Sequence, residues 1–167
     1  MNNQLTDEMF HEALGAEDEL GSVIRVHLHV EYYIDEILSK LVYDTDYLPP
    51  LKLDYSDKVN LICALGVNPK FKTVLIALGS MRNKFAHKPF HKINKSEVNN
   101  LYKTLSSTDK EIFQSKYKKL IESHNTKPYK ELDPKDKFIL IAIIVRRIVI
   151  TINDDLTSSQ IPVGNAY

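Results

Sequence analysis

Residues 68–89 read NPKFKTVLIALGSMRNKFAHKP, and this stretch decides the fold that the sequence predicts. Its first residues, Asn68 and Pro69, are typical of a helix start, because a capping side chain precedes proline at the first helical position. Apolar side chains then recur at helical spacing on one face: Phe71, Val74, Leu75, Leu78, Met81 and Phe85. Pro89 disfavours helical conformation in the residue before it, so we expect this helix to end near His87.

A longer helix is predicted at residues 18–42. Its apolar side chains fill one broad arc: Leu20, Val23, Ile24, Leu28, Val30, Ile34, Ile37, Leu38 and Leu41. The opposite face carries Arg25, His29, Glu36 and Lys40. Two polar residues, His27 and Glu31, interrupt the apolar arc near its centre, and their spacing of four places them on one face.

Start and stop signals predict a short helix and a long final one. Ser56 is the expected N-cap of the short helix, and Gly66 is its expected stop. Asp133 and the proline after it begin the last helix, which carries FILIAIIVRRIVITI at residues 138–152. Its β-branched residues also suit a buried strand, but the sequence offers no second strand to pair with it. The apolar run is too short for a membrane span, so we expect a buried core helix.

The basic region between these helices predicts two more. One covers residues 96–105, and the other follows Thr108, which forms a capping-box pattern with Glu111. Together the segments predict an all-α bundle of five to six helices. We expect a single domain at residues 1–156, followed by a poorly ordered tail at 157–167.

The composition of the 167-residue chain is that of a soluble globular protein, with 43% hydrophobic and 26% charged residues. A single cysteine, Cys63, excludes an internal disulfide framework and a multi-thiolate zinc site, and its apolar neighbours favour a place in the core. One cysteine also favours a reducing, cytoplasmic compartment. The first residues lack the basic and then apolar pattern of a signal peptide.

Charge is balanced overall but unevenly distributed. Residues 1–60 contain four Lys or Arg against thirteen Asp or Glu, whereas residues 82–130 contain twelve against four. A basic segment of this kind is typical of a surface that faces RNA or phosphate. The alternative is that the acidic and basic halves pair with each other, within the chain or across a dimer.

The segment Met81-Arg82-Asn83-Lys84-Phe85-Ala86-His87 resembles the signature of the HEPN superfamily, in which an arginine, often followed by a polar residue, precedes a histidine by four to six residues. Residues 56–88 and the first long helix are most similar to the mannitol operon repressors of the MltR type, a branch of that superfamily. The resemblance covers residues 18–88, and the basic insert at 88–128 has no counterpart that we can match.

This resemblance implies a helical bundle, usually dimeric, in which the motifs of two subunits face one cleft. It also implies metal-independent endoribonuclease activity, as in many toxin-like members, or RNA binding or regulation without catalysis, as in others. No cofactor or metal is expected. The expected partners are a second copy of the chain, RNA, and an antitoxin or regulatory protein, with no membrane.

The motif residues suit this chemistry in their own right. Cleavage without a metal needs a group that accepts the proton of the 2′-hydroxyl, which the His87 imidazole can do near neutral pH. It also needs a cation at the phosphate, and the Arg82 guanidinium can hold two of its oxygens. Asn83 shares a helix face with His87 and is the expected positioning residue. Arg82 and His87 are about 140° apart around a helix, so either the helix ends before His87 or a second subunit completes the site.

Structural interpretations of the same residues stay open. Arg82 falls on the apolar side of its helix, where it needs a partner, and Glu31 on the first long helix is the best candidate. His27 is either a supporting residue of the site or a core histidine. His87 is either catalytic or a simple helix-end residue.

The sequence therefore predicts catalytic residues Arg82, His87 and Asn83, supported by Glu31 and His27. The expected RNA-binding lysines are Lys84, Lys88 and Lys92. The leading function is RNA binding with candidate metal-independent endoribonuclease activity. The alternative is an MltR-like transcriptional regulator that is not catalytic and acts through protein contacts.

Overall fold

The computed structural model describes residues 6–88, 90–124 and 127–159, and all regular elements in these ranges are helical. The α helices are α1 Asp7–Ala16, α2 Glu19–Leu41, α3 Tyr55–Ala64, α4 Lys72–His87, α5 Lys95–Lys103, α6 Ser107–His124 and α7 Pro134–Ser159. Short 3-10 turns occur at Thr45–Tyr47, Pro49–Leu51, Pro69–Phe71 and Tyr129–Glu131. The all-α prediction is confirmed, but the predicted number of helices is too low because the sequence analysis missed α1.

The predicted helix starts are close to the observed ones, but three of them differ. α4 begins at Lys72, because Asn68 caps a separate 3-10 turn at Pro69–Phe71 that precedes it. Asp54 rather than Ser56 caps α3, because its carboxylate accepts from the backbone N–H of Asp57 at 2.9 Å in a reciprocal capping box. Ser106 rather than Thr108 caps α6, because its hydroxyl accepts from the backbone N–H of Asp109. Helices α3 and α6 therefore begin before the predicted caps.

The core forms around α2 and α7, which pack against each other. α3 packs on α2 and α4, α5 on α4 and α7, and α6 on α7. The apolar run at residues 138–152 is helical, as predicted, and buries most of its side chains in this core. In the part of the chain that the structure describes, no helix has both the length and the apolar character needed to cross a membrane.

Helix α1 covers one side of the α2–α7 pair. Phe10 of α1 is buried, and its ring lies 4.8 Å from that of His29 on α2. Asp7 forms ion pairs with Arg146 and Arg147 on α7. His29 is therefore half-buried under α1, which corrects its predicted place on the exposed face. Burial and the nearby charge of Arg146 lower the pKa of His29 to about 4.

The predicted domain boundary at residue 156 falls inside α7, which continues to Ser159. Lys40 of α2 ties this last part of α7 to the bundle, because its ammonium group donates to the Asn153 and Thr157 side chains at 2.6 Å each. The rest of the predicted tail, residues 160–167, lies outside the described residues.

Candidate functional site at the end of α4

Helix α4 continues through His87 and is capped by Lys88. The alternative in which the helix ends before His87 is therefore wrong. Residues five apart on a continuous helix project about 140° apart, so Arg82 and His87 leave α4 in different directions.

Arg82 is half-buried near the end of α4, and its Nη1 donates to the Asn83 side-chain oxygen at 3.0 Å. Among the described residues, this amide is the hydrogen-bond partner of the guanidinium, and no carboxylate pairs with it. Asn83 thus holds the cation in place without neutralising it. The full positive charge of Arg82 remains available to an anion.

The predicted pair between Glu31 and Arg82 is wrong, because α3 supplies a closer cation. The ammonium group of Lys58 lies 3.1 Å from a Glu31 carboxylate oxygen and 2.9 Å from one of Asp35. Lys58 reaches Glu31 because α3 packs on both α2 and α4. Glu31 therefore supports the junction of α2 and α3 instead of holding Arg82.

His27 is buried between α2 and α3, with 3% of its surface exposed. Its ring centroid lies 4.4 Å from that of Tyr55, and its Nδ1 is 3.6 Å from a Glu31 oxygen. Burial lowers the pKa of His27, the Glu31 charge opposes this effect, and the charges of Arg82 and Lys58 reinforce it. A buried neutral imidazole adds no second positive charge beside Arg82.

Tyr55 joins α3 to α4 one turn before the motif. Its hydroxyl donates to the backbone oxygen of Leu75 at 2.9 Å, and its ring lies directly against Gly79. A Cβ atom at residue 79 would come within 2.6 Å of two ring carbons, so only glycine lets the ring approach. This contact fixes the position of α4, and with it the base of Arg82.

The three predicted RNA-binding lysines differ in their surroundings. Lys84 pairs with the Glu97 carboxylate of α5, whereas Lys88 and Lys92 are exposed. Glu97 also lies 2.7 Å from the His91 imidazole and completes the capping box of α5. Burial raises the pKa of Glu97, but the hydrogen bonds from Lys84, the backbone N–H of Asn94 and His91 outweigh it and lower the pKa. Lys84 therefore connects α4 to α5 although its side chain is also exposed, and Lys88 and Lys92 are exposed in the segment that follows.

His87 and Asn83 are exposed on the same face of α4. No described residue hydrogen-bonds or pairs with the His87 imidazole, which is therefore accessible to a ligand. Phe90, three residues after His87 in the chain, was not predicted as a site residue, and its surface is 96% exposed in the turn after α4. The sequence does contain a pattern that points to Phe90, because residues 82–96 combine basic side chains with phenylalanine and contain no Asp or Glu.

A surface groove with a volume of about 650 Å³ lies elsewhere, between α1, α6 and α7. Its floor is apolar and includes Phe113, Leu140 and Ile144. None of the predicted site residues lines it. In the described ranges, no three His, Cys, Asp or Glu side chains are grouped so that they could hold a metal ion.

Replacement of Glu31 with alanine is expected to lower the free energy of unfolding by only about 0.2–1 kcal/mol. The side chain is 27% exposed, and Lys58 keeps its contact with Asp35 when Glu31 is removed. Urea denaturation beside Glu36→Ala, on the same helix, measures the effect. A loss of about 3–5 kcal/mol would instead indicate a buried pair of the kind predicted from the sequence.

Comparisons with protein-family models, with curated proteins and with solved structures gave no match to this chain.

Proposed function

We propose that this chain is an RNA-binding protein of the HEPN type that works as a homodimer and cleaves RNA without a metal ion. The observation that carries the proposal is the state of Arg82, a half-buried guanidinium held by an amide and by no described carboxylate. A cation in such a place is well suited to an external anion such as a phosphate. His87, the residue that the HEPN resemblance pairs with this arginine, is exposed one and a half turns further along α4.

In the proposed reaction, His87 accepts the proton of a ribose 2′-hydroxyl while the 2′-oxygen attacks the adjacent phosphorus atom. The bond from phosphorus to the 5′-oxygen breaks, and that oxygen takes a proton from solvent water as it leaves. The products are a 2′,3′-cyclic phosphate and a 5′-hydroxyl. Arg82 stabilises the charge that develops on the phosphate oxygens, and its planar fork suits two of them. Asn83 keeps the guanidinium oriented.

The divergence of Arg82 and His87 on α4 supports a site that two protomers share. Each site then takes the arginine of one protomer and the histidine of the other across a two-fold axis. Light scattering on the pure protein is expected to give about twice the chain mass of 19.2 kDa. A monomer at micromolar concentration would exclude the shared site.

The activity itself is tested by incubation of the pure protein with mixed cellular RNA in the presence of EDTA. Cleavage is expected to continue, because the proposed step uses protein groups alone, and the fragments are expected to carry cyclic phosphate ends. Binding is expected to weaken as salt rises, since Lys88 and Lys92 contact phosphate in this proposal. Cleavage that EDTA abolishes would contradict the proposed chemistry.

A regulator of the MltR type that acts through protein contacts is the second candidate. The observation that favours it is the groove between α1, α6 and α7, since an open groove with an apolar floor is a common form of protein-binding site. This candidate replaces the first if the pure protein cuts no RNA and a regulatory protein protects Leu140 and Ile143, which are half-buried in the groove, from solvent.

A further inference from the structure

We infer that an unpaired base of the RNA which this site takes stacks on Phe90. The inference rests on the proposed function and adds a contact residue to it. Its starting point is the exposure of the Phe90 ring, which is 96% accessible although it lies beside a well-packed core. Burial of such a ring typically stabilises a protein by about 1.5–3 kcal/mol, and the fold does not use it here.

The described residues on both sides of Phe90 are held by contacts within the fold. Before it, the backbone N–H of Lys88 donates to the Phe85 oxygen at 3.3 Å, and the N–H of His91 donates back to Lys88 at 2.8 Å. After it, the His91 ring packs edge-on against buried Phe85 at 4.9 Å. Ile93 is buried, with 5% of its surface exposed.

The charges around this turn suit a polyanion. Residues 82–96 contain five Lys or Arg, two His and no Asp or Glu. Lys88 and Lys92 flank Phe90 in the chain and are exposed, and His87 lies three residues before it. Glu97 pairs with Lys84 and His91, and the Glu19 carboxylate of α2 accepts from the backbone N–H of Ile93.

An exposed apolar side chain alone carries no argument, because isolated ones are common on protein surfaces. Here Phe90 lies between two exposed lysines in the chain, Lys88 and Lys92. Proteins that bind single-stranded nucleic acid combine aromatic and basic side chains in this way. In such proteins the lysines contact the phosphates, and a base stacks on the aromatic ring. A base inside a duplex has no free face to offer, so the inference selects single-stranded RNA over double-stranded RNA.

The test uses a short oligoadenylate with 2′-O-methyl groups, which binds but lacks the attacking hydroxyl. Fluorescence anisotropy is expected to show about 5- to 150-fold weaker binding of this probe to Phe90→Ala than to the wild type. The affinity for a duplex of the same backbone is expected to stay unchanged. Thermal melting and light scattering of Phe90→Ala are expected to match the wild type, since the ring contributes little to the core.

A second variant reads the stacking directly. The chain contains no tryptophan, so Phe90→Trp introduces a single indole at the inferred contact. Its fluorescence is expected to be quenched when the oligoadenylate binds. Tyr43→Trp is the matched control, because Tyr43 is fully exposed in an acidic segment between α2 and α3, and its indole is expected to keep its emission.

The outcomes separate this inference from the function on which it rests. If the wild type binds the probe while Phe90→Ala binds equally well and Phe90→Trp is not quenched, the stacking contact is wrong and the RNA-binding function stands. If the wild type binds no RNA even at low salt, the proposed function fails and the stacking contact with it. If light scattering shows that Phe90→Ala is a monomer while the wild type is a dimer, the ring belongs to a protein interface, which would also overturn the inference.

Discussion

Replacement of His87 with alanine is expected to slow RNA cleavage by about 10²–10⁴-fold, which is the usual loss when a general base is removed. The fold is expected to survive, because the imidazole is exposed and contacts no other described side chain through a hydrogen bond or ion pair. Initial rates on one defined RNA, with thermal melting of each variant, measure both effects. His11→Ala is the matched control, since His11 is an exposed histidine on α1. Equal cleavage by the wild type and His87→Ala would identify the activity as a contaminant.

The shared site gives the same variant a second use. When His87→Ala is mixed with Arg82→Lys and the subunits exchange, half of the dimers are mixed, and each mixed dimer contains one site with both native residues. About a quarter of all sites are then intact, so activity is expected to return although neither variant is active alone. Arg82→Lys is preferred to Arg82→Ala because lysine keeps the charge but loses the fork. If the mixture stays inactive while subunit exchange is verified, each site takes both residues from one protomer.

Replacement of Phe85 with alanine is expected to cost about 3–5 kcal/mol of stability, the usual range for loss of a buried phenylalanine. Phe85 lies between Arg82 and His87 in the sequence. Its ring is fully buried and packs against the His91 ring. Its removal leaves a cavity under the last turns of α4 and loosens the turn that follows. Urea denaturation measures the loss as a lower midpoint.

Phe90→Ala is the control for this measurement, since it removes the same side chain five residues further along the chain. Its ring is 96% exposed, so its stability change is expected to stay within about 0.5 kcal/mol. A similar loss in both variants would show that the turn after α4 packs against the bundle. A small loss in both would contradict the burial of Phe85.

The buried face of α4 was predictable because it depends on spacing within one helix. Val74, Leu75, Leu78, Met81 and Phe85 lie on the face predicted from their period, and all are buried. The end of the helix at His87 was also predictable, since the proline two residues later limits it locally.

The partner of Glu31 was not predictable in the same way. Helical phase shows that Glu31 faces inward, but it does not show which neighbouring helix lies opposite. The predicted partner was Arg82 on α4, whereas the observed partner is Lys58 on α3. Helix α1 was missed because only Phe10 and Leu14 mark its buried face, and its attachment depends on Asp7 meeting two arginines far along the chain.

The close contact of Tyr55 with Gly79 has a consequence for how other chains with this fold can vary. A larger residue at the position of Gly79 needs the space that the Tyr55 ring occupies. The side-chain sizes at these two positions should therefore be coupled. Glycine at position 79 allows an aromatic ring at position 55, whereas a larger side chain at position 79 requires a small one at position 55. This reciprocal rule joins residues of different helices and is independent of the motif. It thus offers a way to recognise distant relatives in which the arginine and histidine have been lost.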